Sequence, residues 1–536
     1  MIDVQTFGTA GGPLSTRRIP GAIRAILVVL CLMSCWEAAG RLPVDGVRIV
    51  PPLSGVLSDY VANGDIYGSH IDATAATSAY GFAIGAAVAA AAALVFCMAP
   101  TVELVFRGVN IALFAVPAIA IGPLLVLLLD GQWPQIVLSA TMIYFPAMAA
   151  MLVGLRDIDP RHADLVRAYG GGDLALMRFV RLRSAVPSAM AGLRVAASLS
   201  VLGAILGEFG SGERWGLGTF LLSSLGQSNA DRLWGISLAA AGLALAGYGL
   251  FSVLGSALVG ATIPVTLAAG RMPEDMHGRT PRRTIVRFAL AGASTLLPFL
   301  LWWAVLHLAD ISPIVAPRPL DVLAYLSWAD GASQARTVLL RALGQTLPLA
   351  LLGLIAGLGT AFLLAASSVL YPRILRVVLP AAMVLQSTPL VAITPIVLLL
   401  LGRSVSACVF MAVIVVFFPA FVLLVQGFAV VPRAALETVD VYGGGSWKKL
   451  RLIAIPYSFR YVVAAAKLVA PRALLGVMIA EWLLTGTGLG NLMDVSRGTL
   501  DYGMVWSAAI LSIVVSVAAY QSAALLEIVA RFRGTA

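Results

Sequence analysis

Along the 536 residues, apolar runs of helix-spanning length recur with short polar breaks between them. A helix needs about 20 apolar residues to cross a bilayer core roughly 30 Å thick. Such runs fall near 22–39, 76–99, 109–129, 133–154, 189–209 and 235–260, and again near 285–308, 345–369, 377–401, 404–430, 462–484 and 504–529. The pattern predicts an all-α, polytopic fold of about twelve membrane helices, six and then six. The most polar stretch between the two sets is Gly270 to Arg283, which reads as a linker. The expected organisation is a first half at 1–268, a linker at 269–284 and a second half at 285–536. The first run ends in Cys35-Trp36-Glu37 rather than in a small-residue cleavage site, so it is expected to remain as a helix.

Composition agrees with this pattern. The chain is 60% hydrophobic and 12% charged, with a mean hydropathy of +0.94. Soluble domains carry about 25% charged residues. The net charge of +10 would suggest nucleic acid in a soluble protein, but here it has another source. Twenty-four Lys and Arg fall in the breaks on one side of the expected spans and nine on the other. Basic residues collect in short cytoplasmic loops, so the richer side, with both termini, is expected in the cytoplasm. The four cysteines lie in apolar runs without a C-x-x-C pair, and the four histidines do not cluster, so no metal site is expected.

The stretch VYGGGSWKKL at 441–450 places glycines next to lysines, as a phosphate loop does. The spacing excludes one: a P-loop needs glycine directly before the lysine and a hydroxyl residue after it. Here Trp447 precedes Lys448, and Leu450 follows Lys449. The glycines instead mark an internal repeat. DLVRAYGGGDLALMR at 164–178 aligns with ETVDVYGGGSWKKLR at 437–451, so that Gly443 lies 273 residues after Gly170. The same offset pairs Glu208 with Glu481, and within one residue WGLG at 215–218 pairs with TGLG at 487–490. With six spans in each, the two halves are parallel copies. In each half the glycines lie in a cytoplasmic segment, expected to form a short helix, a left-handed glycine turn and a second short helix ended by proline.

These segments resemble the EAA loop of ABC importer permeases, E-A-A-x-x-x-G followed by I-x-L-P, at 160–187 and 432–458. Within that superfamily, Trp36-Glu37, VPPL at 50–53, QSTPLVAITPIVLLLLG at 386–402 and the acid before GLG are similar to the nitrate, sulfonate and taurine permeases. There are departures. Leu165-Val166 and Thr438-Val439 replace the alanines, Asp164 replaces the first glutamate, and Arg183 stands where the first loop should have proline. Both halves are also joined in one chain.

The resemblance implies a type I ABC importer permease, not itself an enzyme, in the cell or inner membrane. Asp164, Tyr169, Gly170, Glu437, Tyr442, Gly443 and Pro456 would dock two ATPase subunits. ATP and magnesium would bind those subunits, with no cofactor in this chain. An extracytoplasmic binding protein would deliver a small, anionic solute, such as a sulfonate, nitrate, taurine-like compound or organic acid. Membrane lipid is an expected partner and nucleic acid is not.

Some candidates come from the residues themselves. Arg472 lies within an apolar run, where a charge costs about 2.5–3.5 kcal/mol, so it should face the bundle interior. It is a candidate either for attracting an anionic solute or for a structural ion pair. Gln386, Ser387 and Thr388 precede a proline in another run and are pathway candidates on one side only, or bonding groups between helices. Glu208 and Glu481 are candidates either for an outer gate or for capping the turn that follows. Arg194 and Lys467 are expected to snorkel to the cytoplasmic interface. The rival reading is a self-contained secondary transporter of twelve helices driven by an ion gradient.

Overall fold

A computed structural model describes residues 21–42, 50–115, 118–209, 211–227, 229–259, 281–375, 378–379, 382 and 390–533. Every regular element among them is helical. In the first half these are α1 (Gly21–Arg41), α2 (Leu53–Ala62), α3 (Gly64–Met98), α4 (Pro100–Ala115), α5 (Ala118–Leu128), α6 (Trp133–Arg156) and α7 (Pro160–Ala168). Then come α8 (Asp173–Glu208), α9 (Leu217–Leu225) and α10 (Ala230–Val259). The second half has α11 (Pro281–Leu308), α12 (Pro319–Ser327), α13 (Ala332–Leu370), α14 (Leu390–Leu401), α15 (Val405–Ala429) and α16 (Arg433–Val441). It ends with α17 (Ser446–Thr485), α18 (Gly488–Gly498) and α19 (Tyr502–Arg533).

Eight helices among the described residues are long and apolar enough to cross a membrane: α3, α6, α8 and α10, and α13, α15, α17 and α19. They form the two parallel repeats. In each, the order of packing is the same: α3 on α6, α6 on α8 and α8 on α10, matched by α13 on α15, α15 on α17 and α17 on α19. Between the repeats, one helix of each crosses over. α5 packs on α17, α18 and α19 of the second half, and α14 packs on α8 and α10 of the first. The first helix of the second half, α11, lies along α4, where the backbone N–H of Gly108 donates to Ser294 Oγ at 2.7 Å.

Three expectations need correction or limits. The span expected at 109–129 is described as α4, up to Ala115, and α5, from Ala118, with residues 116–117 outside the described residues. Its counterpart at 377–401 is described only at 378–379, 382 and 390–401, and most of the 269–284 linker lies outside the described residues. The second spans start earlier than hydropathy indicates. α3 has 35 residues and α13 has 39, lengths of about 52 and 58 Å. The start of α3 carries polar residues that a hydropathy window excludes, yet His70 and Thr74 there are buried, as is Thr346 inside the expected run of α13.

Close approach of backbones sets the core of each half. A Cβ on Gly203 of α8 would meet Ser139 Cα of α6 at 2.6 Å. At the same place in the second half, a Cβ on Gly476 of α17 would meet Ala412 Cα of α15 at 2.9 Å. Small residues at such crossings let spanning helices pack without side chains between them. Gly203→Leu and Gly476→Leu should each destabilise the fold by about 1–3 kcal/mol through overpacking. Gly359→Ala, where no atom lies within 4 Å of an added Cβ, should leave the detergent melting temperature unchanged; equal melting of all three variants would refute this account of the crossings.

Candidate functional site

The two glycine loops have the same backbone. α7 begins at Pro160, with Asp159 accepting from Arg161 N at 2.9 Å, and α16 begins after Pro432. Each ends at a tyrosine followed by a glycine of positive φ, +77° at Gly170 and +68° at Gly443. The next glycine closes the turn: Gly171 N donates to Val166 O at 2.9 Å, and Gly444 N donates to Val439 O at 2.8 Å. This is the six-to-one bond of a Schellman turn. A Cβ on either would run into that valine. The third glycine sits at the entry of the next helix with open space around it. Thus the first glycine supplies conformation, the second closeness, and the third is not sterically required.

The second helix of each loop does not end at a proline, as the sequence pattern suggested. It runs on as α8 or α17 through a π-helical turn, at Met177–Arg181 and Leu450–Ala454, and α17 has a second such turn at its far end, Glu481–Thr485. Pro456 follows that turn inside the continuous helix. Proline lacks an N–H and crowds the carbonyl four residues back, here Leu452 within the wider π-turn. Arg183 takes the same position in the first half with the same π-turn, so the missing proline does not alter the loop.

Apolar side chains project from these loops. Tyr169 and Tyr442 are 86% and 85% exposed, and Leu165, Leu174, Val441 and Trp447 are exposed beside them. Asp164, Glu437 and Pro456 are also exposed. Exposed apolar patches rimmed by polar groups mark interaction surfaces. In the second loop Lys449 forms an ion pair with Asp440 across the turn; Leu176 and Arg167 stand at those positions in the first loop.

The opposite end of α8 and α17 carries the second constellation. Glu208 and Glu481 are 3% and 0% exposed. Glu208 accepts from Thr74 Oγ1 at 2.6 Å and from Gly218 N at 2.6 Å. Glu481 accepts from Thr346 Oγ1 at 2.9 Å and from Gly490 N at 3.1 Å. The threonines in turn accept from Leu217 N at 2.8 Å and Leu489 N at 2.9 Å. Gly216 N donates to His70 Nδ1 at 2.9 Å, and Gly488 N donates to Gln345 Oε1 at 3.0 Å. Three consecutive N–H groups at the start of α9 and of α18 are therefore each satisfied by a side chain. The G-L-G motifs follow from this packing. The carboxylates lie where a Cβ on Gly216 or Gly488 would be, and carbonyls of α8 and α17 lie against Gly218 and Gly490. Sequence reading found the glutamates and the G-L-G, but missed Thr74, Thr346, His70 and Gln345. The threonines recur 272 residues apart, which was the available signal.

Directly after each glutamate comes an aromatic residue. Phe209 and Trp482 meet edge to face, with ring centroids 4.9 Å apart and planes at 82°. Such a pair contributes about 0.5–1.5 kcal/mol beyond area burial.

Arg472 is half-buried on α17, nine residues or about 13 Å before Glu481. Its side chain has no hydrogen bond or ion pair among the described residues, and Leu199 occupies its place in the first half. The basic residues nearer the loops are placed inward. Lys467 Nζ lies 5.1 Å from the Tyr520 ring centroid, and the Arg194 guanidinium lies against Gly255 of α10. Gln386, Ser387 and Thr388 lie outside the described residues.

The chain was compared with known proteins. The signature of the binding-protein-dependent transport system inner membrane component matches residues 81–263 and again 357–528. A probable ABC transporter permease of Haemophilus influenzae is 28% identical over 228 residues, 42% of this chain and 92% of its own. A formylaminopyrimidine transport permease of Halalkalibacterium halodurans is 26% identical over 200 residues, 37% of this chain and 80% of its own. A putative aliphatic sulfonates transport permease of Escherichia coli is 27% identical over 181 residues, 33% and 68% respectively. The double match accords with two permease halves fused in one chain.

The buried clasp carries a test. Glu208→Ala or Glu481→Ala leaves a threonine hydroxyl and a helix N–H without their acceptor, at a cost of about 1–3 kcal/mol for each buried group stranded. Glu→Gln at either position keeps one acceptor oxygen and should cost less. Detergent melting of the four variants checks this; alanine variants as stable as the parent would refute the clasp.

Proposed function

The chain belongs to the family of binding-protein-dependent transport system inner membrane components, and from that premise we propose that it is the complete transmembrane core of an ATP-driven importer. The observation that carries the reading is the pair of glycine loops with one backbone geometry and exposed tyrosines. Each loop offers a short helix, Pro160–Ala168 or Arg433–Val441, to an ATPase subunit. Asp164, Tyr169 and Gly170 serve one subunit, and Glu437, Tyr442, Gly443 and Pro456 serve the other. ATP and magnesium bind those subunits, and the energy enters this chain only through the loops. The loops and both termini lie in the cytoplasm, by the bias of basic residues.

An extracytoplasmic binding protein delivers the solute at the far end. We assign a small anionic solute, a sulfonate, nitrate, taurine-like compound or organic acid. Arg472 supports this assignment: a cation in a membrane helix with no ion pair among the described residues gains most from an anion that reaches it. The relatives named above for formylaminopyrimidine and for aliphatic sulfonates share the fold of this family but not one solute. Glu208 and Glu481 serve the outer gate indirectly, by fixing the turns on either side of it.

Two measurements test this reading. The complex purified from its host should hold two ATPase subunits per chain, and the chain alone should hydrolyse no ATP. Gly443→Pro should leave membrane insertion intact and abolish transport, because proline is locked at negative φ where this turn needs a positive one. A single ATPase subunit per chain, or normal transport by that variant at equal abundance, would overturn the docking role.

Arg472 is tested apart from the loops. Arg472→Gln should lower uptake of a labelled solute such as taurine by tenfold or more, about 1.4 kcal/mol of lost attraction. ATPase subunits should stay bound and the detergent melting temperature should hold. Arg472→Lys should be intermediate, since it keeps charge but loses the planar fork. A melting drop that parallels the activity loss would assign the residue to structure instead.

A further inference from the structure

We propose that Phe209 and Trp482 are an aromatic gate that closes the solute pathway at the end opposite the glycine loops. The proposal rests on the importer reading above, and deepens it by naming the residues that part.

The two residues are repeats of one another: Trp482 lies 273 residues after Phe209, the offset that relates the halves. Parallel repeats are related by an axis along the membrane normal. A position that touches its own equivalent lies on that axis, as in any isologous contact. The pair therefore stands on the line between the halves, where a shared pathway runs. Its depth is also fixed. Phe209 follows the last residue of α8, 36 residues from the start of that helix beside the first loop, a rise of about 54 Å. The contact is thus at the far end of the bundle from the loops.

The bonding around the pair differs in strength on its two sides. Within each half, the preceding glutamate is held by a threonine and by a helix N–H. These bonds join the end of α8 to α3 and α9, and the end of α17 to α13 and α18. Across the axis, Phe209 and Trp482 meet by a ring edge on a ring face. That contact has no hydrogen bond to break, so the halves can part here while each turn stays intact. In this structure Phe209 is 2% exposed and Trp482 is half-buried, which is the closed arrangement. Phe209 and Trp482 differ in size, so the closure is built from unequal partners that interlock rather than from matched rings.

Paired cysteines read the gate directly. Phe209→Cys with Trp482→Cys is placed in a chain whose Cys31, Cys35, Cys97 and Cys408 are replaced, and the complex with its ATPase subunits is treated with a short bis-methanethiosulfonate. The same is done with Phe82→Cys and Phe251→Cys, an aromatic pair within the first half whose rings are 4.8 Å apart. The gate pair should cross-link without nucleotide, and its yield should fall about tenfold when ATP and vanadate trap the other state, as expected for a two-state population shift. The control pair should cross-link equally in both states. Equal yields for the gate pair, or no cross-link in either state, would overturn the gate. A complex that traps no nucleotide overturns the importer reading itself, and the gate with it. Trp482→Cys alone gives a second reading where the double variant does not accumulate. Its labelling by an impermeant methanethiosulfonate from outside should speed up about tenfold on trapping, and an unchanged rate counts against the gate.

Discussion

A helix that begins inside a membrane bundle brings N–H groups that have no acceptor in their own first turn. Hydrocarbon supplies none, and each such group left unsatisfied there costs several kcal/mol. The two short helices α9 and α18 begin in this position, and their solution organises the far end of the molecule. Side chains must reach them from elsewhere. α3 and α13 run alongside the turns, so that Thr74, His70, Gln345 and Thr346 stand level with them. Reaching them also requires α8 and α17 to carry a glutamate at or near their ends, and the turns to carry glycine where the carboxylate and a helix carbonyl press against them. Long helices, terminal acid and G-L-G are one constraint seen from three sides.

The two halves meet that constraint with unequal residues. The amide of Gly216 is served by a histidine of α3, whereas that of Gly488 is served by a glutamine of α13 at a different position of the repeat. What the repeat keeps is the backbone: positive φ at Gly170 and Gly443, π-turns at corresponding places, and the same order of helix packing. Side chains that do not hold backbone diverge more. Arg472 corresponds to Leu199 in the repeat, and Leu176 and Arg167 stand in the first loop where the Lys449–Asp440 ion pair lies in the second. A single solute passing between fused halves has no need of a symmetric site, so a lone arginine is compatible with the duplicated frame.

Much of this was legible in the sequence because the bilayer imposes a strong pattern. The apolar runs, the repeat at 273 and the family membership were readable without coordinates. The glycine turns were readable as well, since positive φ selects glycine. What was not readable follows from two physical causes. Hydropathy averages over a window, so the polar start of α3 was cut off, and with it His70 and Thr74; Gln345 and Thr346 lay inside the expected run, but an apolar pattern does not mark a side chain as the cap of another helix. Helix continuity through a π-turn leaves no compositional mark, so Pro456 looked like a terminator when it is a residue inside α17. Pairing across the axis, as in Phe209 with Trp482, is a property of assembly and appears only once both halves are placed.

One continuous helix in each half has the glycine turn before its start and the buried glutamate at or near its far end. α8 and α17 are the most buried of the spanning helices, at 67% and 61% of their apolar windows. A helix packed on most sides moves with its neighbours rather than bending away from them, because close-packed interiors transmit displacement instead of absorbing it. The π-turn near the base of each helix loosens its regular ladder and lies between the exposed loop and the buried shaft; α17 has a second one at Glu481–Thr485. Force applied to the loop is therefore received at a compliant turn and carried by a stiff shaft. The shaft ends at the Glu208 or Glu481 clasp, which hydrogen-bonds it to its own half, while at this end the two shafts meet each other through the Phe209–Trp482 ring contact.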